Sequence, residues 1–190
     1  QRLTALAILS IKTKEQFPLL FYRTDCADMA IDSSDFDEAY IASSKALLIT
    51  GTHFSTAHVD KVARHAISYA RRNQTKVILD IDYRPVLWGL TRPGDGDNRF
   101  VSNANISAHL QSIVPLCDLI VGTEEEIHIA GGSTDTIACL KTLRKLTDAV
   151  IVLKRGAQGC SIFDSQIPDS LDDAFFAQGV RVEVLNVLGA

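Results

Sequence analysis

The sequence lacks any apolar run long enough to cross a lipid bilayer, and it lacks an excess of positive charge. Its 19 Lys and Arg residues are outnumbered by 23 Asp and Glu residues, which gives a net charge of −4 with both signs spread along the chain. A protein that binds nucleic acid or an anionic membrane would show a basic stripe. We therefore expect neither nucleic acid nor a membrane as a partner.

Three motifs of common enzyme classes are also absent. The sequence contains no G-x-G-x-x-G dinucleotide fingerprint, no G-x-x-x-x-G-K-[ST] phosphate loop and no G-x-S-x-G nucleophile elbow. An NAD-dependent dehydrogenase is therefore disfavoured. The four cysteines form no Cys-x-x-Cys pair and the histidines show no zinc spacing, so we expect buried cysteines in a reduced, cytoplasmic setting.

What the sequence does contain is an alternation of strand and helix patterns. Two apolar segments joined by a polar link, Leu3–Ile11 and Phe17–Arg23, predict a hairpin. Helical patterns and short apolar strands then alternate along the chain. The predicted helices are Asp35–Tyr40, Thr56–Arg72, Ser102–Val114, Glu124–Ala130 and Asp135–Leu146. The predicted strands are Ala46–Thr50, Val77–Asp82, Asp118–Val121, Ala149–Leu153, Cys160–Phe163 and the alternating segment that begins at Val182.

This order predicts an α/β domain with a mostly parallel sheet covered by helices. Ligands bind such sheets at the carboxyl ends of the strands, and the residues that follow the predicted strands are polar, charged or glycine. His53 is one of them and lies where a substrate would bind. Asp80, Asp82 and Arg84 fall at alternating positions, so a continuing strand would place them on one side. An anion-binding Arg and an ordinary salt-bridged strand end explain this pattern equally well.

Two other strand ends also have structural interpretations. Thr123 and Glu126 match a helix capping box, which the spacing favours, while Glu125 has no part in it and is free to act on a magnesium ion through water. The turn from Lys154 to Gly159 would let a nucleotide approach the backbone, although a plain hairpin turn is favoured by the bare pattern.

Taken in order, these stretches resemble the ribokinase / PfkB family of carbohydrate kinases. They are DIDYR from Asp80, GTEE from Gly122, KRGAQG from Lys154 and NVLGA from Asn186. The family carries, in the same order, Asp-x-Asn-x-Arg, Asn-x-x-Glu, Thr-x-Gly-x-x-Gly and Asp-Thr-x-Gly-Ala-Gly-Asp. The resemblance covers essentially the whole chain. It implies a ribokinase-like three-layer αβα fold with a small lid hairpin at 1–24 and an incomplete α/β core at 45–190.

The resemblance also implies an activity. The stretches FPLLFYRTDCADMAI, GTHFST and DIDYRPVLWG are similar to kinases of keto-deoxy sugar acids within the family. The implied reaction is phosphorylation of the terminal hydroxyl of such an acid, with ATP and Mg²⁺ as cofactors. Pairing through the lid would make the full-length protein a homodimer.

Site residues follow from the same resemblance. The implied substrate-binding residues are Tyr22, Arg23, Asp82 and Arg84, with Arg23 paired to the acid group. The implied cofactor-binding residues are Glu125, Lys154, Gly156 and Gly159, with Glu125 acting on the metal indirectly. The implied catalytic residues are Arg84, which neutralises charge, and Gly189 and Ala190, which begin an anion hole.

The sequence departs from the family pattern at several of these positions. Asp82 and Gly122 stand where the family has Asn, Lys154 stands where it has Thr, and Asn186 and Val187 replace Asp and Thr. The general-base Asp of the family would lie beyond Ala190, so we expect a central part of a kinase domain that is inactive alone. An alternative of another class is a module that binds a sugar or nucleotide and has lost catalysis.

Overall fold

The computed structural model describes residues 2–9, 19–92 and 100–180 of the chain. At its beginning, strand β1 (Leu6–Leu9) pairs antiparallel with strand β2 (Leu19–Tyr22), and Leu6 lies opposite Tyr22. The predicted hairpin is therefore confirmed, with shorter strands than expected.

Six further strands form one sheet in chain order. They are β3 (Ala46–Thr50), β4 (Lys76–Asp80), β5 (Leu119–Thr123), β6 (Val150–Lys154), β7 (Gly159–Phe163) and β8 (Phe175–Gln178). Strands β3 to β6 are parallel, whereas β7 and β8 are antiparallel to their neighbours. The mostly parallel sheet is confirmed, and the carboxyl ends of β3 to β6 meet at one edge.

Five helices accompany this sheet in the described part of the chain. They are α1 (Glu38–Ala42), α2 (Ala57–Arg72), α3 (Ala104–Gln111), α4 (Glu124–Gly131) and α5 (Thr136–Arg144). Each begins after a side chain that accepts a hydrogen bond from the first turn, which is why each starts where it does. The capping residues are Asp37, Thr56, Asn103, Thr123 and Asp135.

Helices α2 to α5 pack side by side as one layer. Each parallel strand lies directly beside the preceding one, so right-handed crossovers carry the helices over the same face. Strand residues on that face, such as Leu79, Ile120 and Ile151, are at most 1% exposed. Those on the opposite face, such as Val121 and Val152, are half-buried, and a second helical layer is not seen within residues 2–9, 19–92 and 100–180.

Two features of the sheet differ from the sequence prediction. Strand β4 ends at Asp80 instead of Asp82, so Asp82 and Arg84 belong to the following turn. Strand β8 was not predicted, because its four residues follow a polar stretch and are too short to show a period. The predicted segment from Val182 lies outside the described residues.

Candidate active site

The carboxyl edge of the parallel sheet carries the first of the predicted groups. Asp80 ends β4, Lys154 ends β6, and β5 lies between them. The Lys154 Nζ lies 3.3 Å from Asp80 Oδ1, so this ion pair spans two strand spacings. Both side chains are about two-fifths exposed and therefore face the solvent-filled edge. The sequence predicted both residues at this edge without predicting that they pair.

The turn after β4 holds the second group. Asp82 has a φ of +30°, in the left-handed region, which Asp and Asn tolerate better than most residues. This backbone cannot continue the strand, so the expected single-sided alternation of Asp80, Asp82 and Arg84 is wrong. The turn nevertheless brings Arg84 Nη2 to 2.8 Å from Asp82 Oδ1. Arg84 also donates to the carbonyl oxygen of Tyr83 at 3.2 Å, which fixes its guanidinium beside the sheet edge.

Glu126 ties this turn to the start of α4. Its carboxylate accepts from the Thr123 backbone N–H at 2.8 Å while Thr123 Oγ1 accepts from the Glu126 N–H, so the predicted capping box is confirmed. The second Glu126 oxygen accepts from the Tyr83 backbone N–H at 3.3 Å. Glu126 is buried, and this bond connects the turn that carries Arg84 to the helix layer. Sequence reasoning missed this contact, because 43 residues separate the two partners.

The two neighbouring glutamates, Glu124 and Glu125, take no part in the capping box. Glu124 accepts a hydrogen bond from Thr136 Oγ1 at 2.6 Å, which joins α4 to α5. Glu125 is exposed in the first turn of α4, at the same sheet edge as Lys154. Its expected action on magnesium stays a prediction, and an exposed carboxylate at a helix start is compatible with it.

The glycines of the β6–β7 turn differ in their surroundings. Gly156 has a φ of +56°, and a Cβ added there would meet no atom within 4 Å. Gly159 has a φ of +108°, and an added Cβ would lie 2.0 Å from the carbonyl oxygen of Ala177. The second glycine is thus required by the close approach of β8, while the first leaves open space. The open space at Gly156 is compatible with its predicted nucleotide contact, whereas the crowded backbone at Gly159 is less compatible with one.

Arg23 directly follows β2 and is paired within the lid. Its side chain is only 16% exposed, and its Nε donates to Asp28 Oδ2 at 2.7 Å. Tyr22 is 57% exposed. Asp28 was not singled out from the sequence, because it lies in a single 3₁₀ turn, Ala27–Ala30, that is too short to show a periodic pattern.

His53, just after β3, links the lid residues to the sheet edge. Its Nδ1 lies 3.0 Å from Thr50 Oγ1. Burial lowers the pKa of His53, the positive charge of Arg23 lowers it further, and Asp28 and Asp82 act in the opposite direction. The charges of Arg23, Asp28 and Asp82 therefore all act on one imidazole, so the lid arginine and the turn after β4 both lie within electrostatic range of His53.

Comparison with known proteins identifies the family. The sequence model described as "pfkB family carbohydrate kinase" matches residues 1–190. The chain belongs to the PfkB family of carbohydrate kinases. The 5-dehydro-2-deoxygluconokinase of Halalkalibacterium halodurans is 28% identical over 190 residues, which cover 98% of this chain and 52% of that protein. The chain thus spans about half the length of the curated relatives it matches.

Solved structures of PfkB proteins share the fold. A PfkB protein from Polaromonas sp. JS666 superposes with a TM-score of 0.71 at 21% identity, over 95% of this chain and 55% of that one. An E. coli protein described as a ribokinase II, in complex with ATP and Mg²⁺, gives a TM-score of 0.70 at 15% identity, over 96% of this chain and 52% of that one. At such identities the likeness shows the fold alone.

The carboxyl edge of the sheet carries groups that suit ATP and Mg²⁺. Lys154, Gly156 and Glu125 lie at one sheet edge and offer a cation, an open backbone and a carboxylate. Within the described residues no three His, Cys, Asp or Glu side chains come together to hold a metal. A magnesium ion commonly uses one or two carboxylates together with substrate phosphates, so this set fits an ion that arrives with the nucleotide.

Two further expectations concern the catalytic role of Gly189 and Ala190 and a membrane as a partner. Gly189 and Ala190 lie outside the described residues, so their catalytic role stays a prediction. None of the helices in the described ranges is long and apolar enough to cross a membrane.

Proposed function

We propose that the full-length protein transfers the γ-phosphoryl group of ATP to the terminal hydroxyl of 5-dehydro-2-deoxygluconate, a keto-deoxy sugar acid of myo-inositol catabolism. Membership of the PfkB family supports the reaction type. The printed name of the Halalkalibacterium halodurans relative supports the substrate. A cytoplasmic location would follow from such a metabolic role.

The position of Arg23 is the observation that carries the proposal. A guanidinium on the lid is largely withdrawn from solvent and is close enough to His53 for its charge to lower the pKa of that residue. An acid substrate offers this guanidinium a carboxylate, which a neutral sugar lacks. Arg is suited to this role because its planar donors match a carboxylate in two-pronged geometry.

The other residues then have defined roles. Arg84 neutralises charge on the substrate or the moving phosphoryl group, and Asp82 holds Arg84 in position. Lys154 and Gly156 contact the nucleotide phosphates, with Gly159 shaping their turn. Gly189 and Ala190 begin an anion hole of backbone N–H groups. Phosphoryl transfer depends mainly on such positioning and charge stabilisation.

Magnesium supplies positive charge to the nucleotide phosphates when it is bound. Glu125 would hold the ion through water at the start of α4, where its carboxylate is free of internal hydrogen bonds among the described residues. Tyr22, which precedes Arg23 at the end of β2 and is 57% exposed, would contact the sugar.

A second acid, 2-keto-3-deoxygluconate, is favoured by the same observation. It carries a carboxylate that Arg23 would bind in the same way, so Arg23 alone does not separate the two substrates.

We also propose that the full-length protein forms a homodimer through the lid. The exposed side chains of Leu6, Ile8 and Tyr22 on the hairpin support this arrangement.

Replacing Arg23 tests the carboxylate role. We expect Arg23→Ala in the full-length protein to raise KM for the keto-deoxy acid about tenfold to a hundredfold, because one charge-assisted contact is worth about 1.5–3 kcal/mol. KM for fructose, as a neutral acceptor, should change little. Steady-state kinetics with both acceptors measure this.

Arg2→Ala is the matched control. Arg2 is also a lid arginine, but it pairs with Asp25, whose side chain is 77% exposed. An equal loss for the acid and for fructose in Arg23→Ala would contradict the carboxylate role.

A further inference from the structure

The lid arginine already has a carboxylate partner of its own. Arg23 Nε and Nη2 lie 2.7 Å and 2.5 Å from the same oxygen of Asp28. Asp28 sits in the turn Ala27–Ala30, which is anchored on one side by the Ala27 N–H bond to the carbonyl oxygen of Leu3 at 2.9 Å. The pair is therefore built into the lid and is not a chance surface contact.

This pair occupies one of the two donor edges of the guanidinium that are suited to a carboxylate. The Nε–Nη2 edge presents two parallel N–H groups; Nε donates to Asp28 Oδ2, and Nη2 forms an ion pair with the same oxygen. Nη2 also lies 3.6 Å from Met29 Sδ. An incoming carboxylate can use this edge only when Asp28 leaves it. On the remaining edge it would bind close to the negative charge of Asp28, which weakens binding.

Asp28 is incompletely satisfied in this arrangement. Its second oxygen, Oδ1, is buried from solvent and has no hydrogen-bond partner among the described residues. A desolvated carboxylate oxygen without a partner is costly. Asp28 is thus a counter-ion that a better-satisfied carboxylate can replace, in contrast to a fully hydrogen-bonded ion pair.

We propose that Asp28 is an internal competitor for the carboxylate of the sugar acid, which must displace it from Arg23 or bind against its charge, so that Asp28 sets the affinity for acid substrates. This inference rests on the proposed function of Arg23. A neutral sugar leaves the Arg23–Asp28 pair intact and does not encounter this competition. Asp28 would therefore set how much binding free energy the rest of an acid substrate must supply before its carboxylate can replace Asp28 on Arg23.

Removal of the Asp28 charge distinguishes competition from simple positioning. We expect Asp28→Asn in the full-length protein to lower KM for the keto-deoxy acid about threefold to tenfold, because Arg23 gains an unopposed charge. KM for fructose should be unchanged. In the Arg23→Ala background, Asp28→Asn should have no effect on KM for the acid, since the competition requires both partners.

Asp25→Asn is the matched control. It also removes one negative charge from the lid, but Asp25 pairs with Arg2 instead of Arg23. Its backbone has a φ of +56°, which Asn tolerates as Asp does. KM for the acid should stay at the wild-type value. Asp28→Ser provides the same comparison if the Asn variant is poorly folded by thermal melting.

An increase of KM for the acid in Asp28→Asn would overturn the proposal and would show that Asp28 positions Arg23. An unchanged KM would overturn it as well. Failure of the proposed function is a separate observation. In that case the wild-type protein would not phosphorylate the acid, or Arg23→Ala would leave its KM unchanged.

Discussion

At the scale of single residues, the candidate site consists of matched charges. Each of its three predicted cations has a carboxylate within 3.3 Å, in the pairs Arg23–Asp28, Arg84–Asp82 and Lys154–Asp80. These pairs hold the cations in place and offset their charge before an anionic ligand binds. Sugar acid and nucleotide would therefore bind by exchange of partners, at a cost that depends on how well each carboxylate is satisfied.

The sequence predicted the three cations and two of their partners, but neither the Lys154–Asp80 pairing nor the part played by Asp28. Arg84 and Lys154 follow apolar strands, and strand ends can be located from the sequence. The pairing of Lys154 with Asp80 depends on strand order, and Asp28 lies in a turn without periodicity. The positive φ of Asp82 could not be predicted from the pattern of alternating residues either, because it interrupts that alternation.

His53 gives a pH dependence that can be measured. Burial and Arg23 lower its pKa in the folded protein, below the ordinary value of 6.5. The unfolded chain then takes up a proton at a higher pH than the folded chain does. The free energy of unfolding should therefore fall as the pH drops below about 6.5, and His53→Gln should reduce this fall.

Urea denaturation of the full-length protein between pH 7.5 and pH 5.5 measures this effect. His58→Gln, an exposed position on α2, serves as the control and should keep the wild-type dependence. The same pH dependence in wild type and His53→Gln would show that His53 is not the group responsible.

At the scale of elements, the start of α4 is the junction between the helix layer and the turn that carries Arg84. The capping box was predictable, because Thr123 and Glu126 are three positions apart in the sequence. The bond from the Tyr83 N–H to Glu126 was not, since it joins two elements that only the folded sheet brings together. Tyr83 is held from its other end by a 2.6 Å hydrogen bond from its hydroxyl to the carbonyl oxygen of Val101.

Adjacent glutamates at this junction should behave differently. We expect Glu126→Ala to lower the free energy of unfolding by about 1–3 kcal/mol, because it leaves two backbone N–H groups without their acceptor. Glu125→Ala should change stability by less than about 0.5 kcal/mol, as an exposed substitution does, and should raise KM for MgATP. Urea denaturation and kinetics with varied MgATP measure both quantities.

The two variants control for each other, since each removes one carboxylate from the same helical turn. A large loss of stability in Glu125→Ala would contradict the assigned roles. An unchanged KM for MgATP in that variant would contradict the proposed action of Glu125 on the metal.

At the scale of the whole molecule, the order of elements was the most predictable property. Strand and helix periods lie within single segments, so the mostly parallel sheet and the hairpin could be predicted from the chain alone. The order of the strand-end stretches indicated the family, because four weak patterns in one sequence are more specific than any one of them. Strand β8 and the pairing of site residues depend on tertiary contacts that no local pattern contains.

The substrate is the property that fold similarity constrains least. One fold accommodates many acceptors, so the choice of acid must come from the site. We propose that Arg23, opposed by Asp28, selects an acid over a neutral sugar, while the choice between acids depends on other groups of the site.

The most direct test of this account is ADP release by the full-length protein with ATP and Mg²⁺, using 5-dehydro-2-deoxygluconate, 2-keto-3-deoxygluconate, ribose and fructose side by side. We predict a clear preference for 5-dehydro-2-deoxygluconate. Preference for 2-keto-3-deoxygluconate would keep acid recognition by Arg23 and contradict the assigned substrate. Preference for ribose or fructose would contradict the acid site, and an absence of turnover with all four would contradict the kinase and favour a module that only binds sugar or nucleotide.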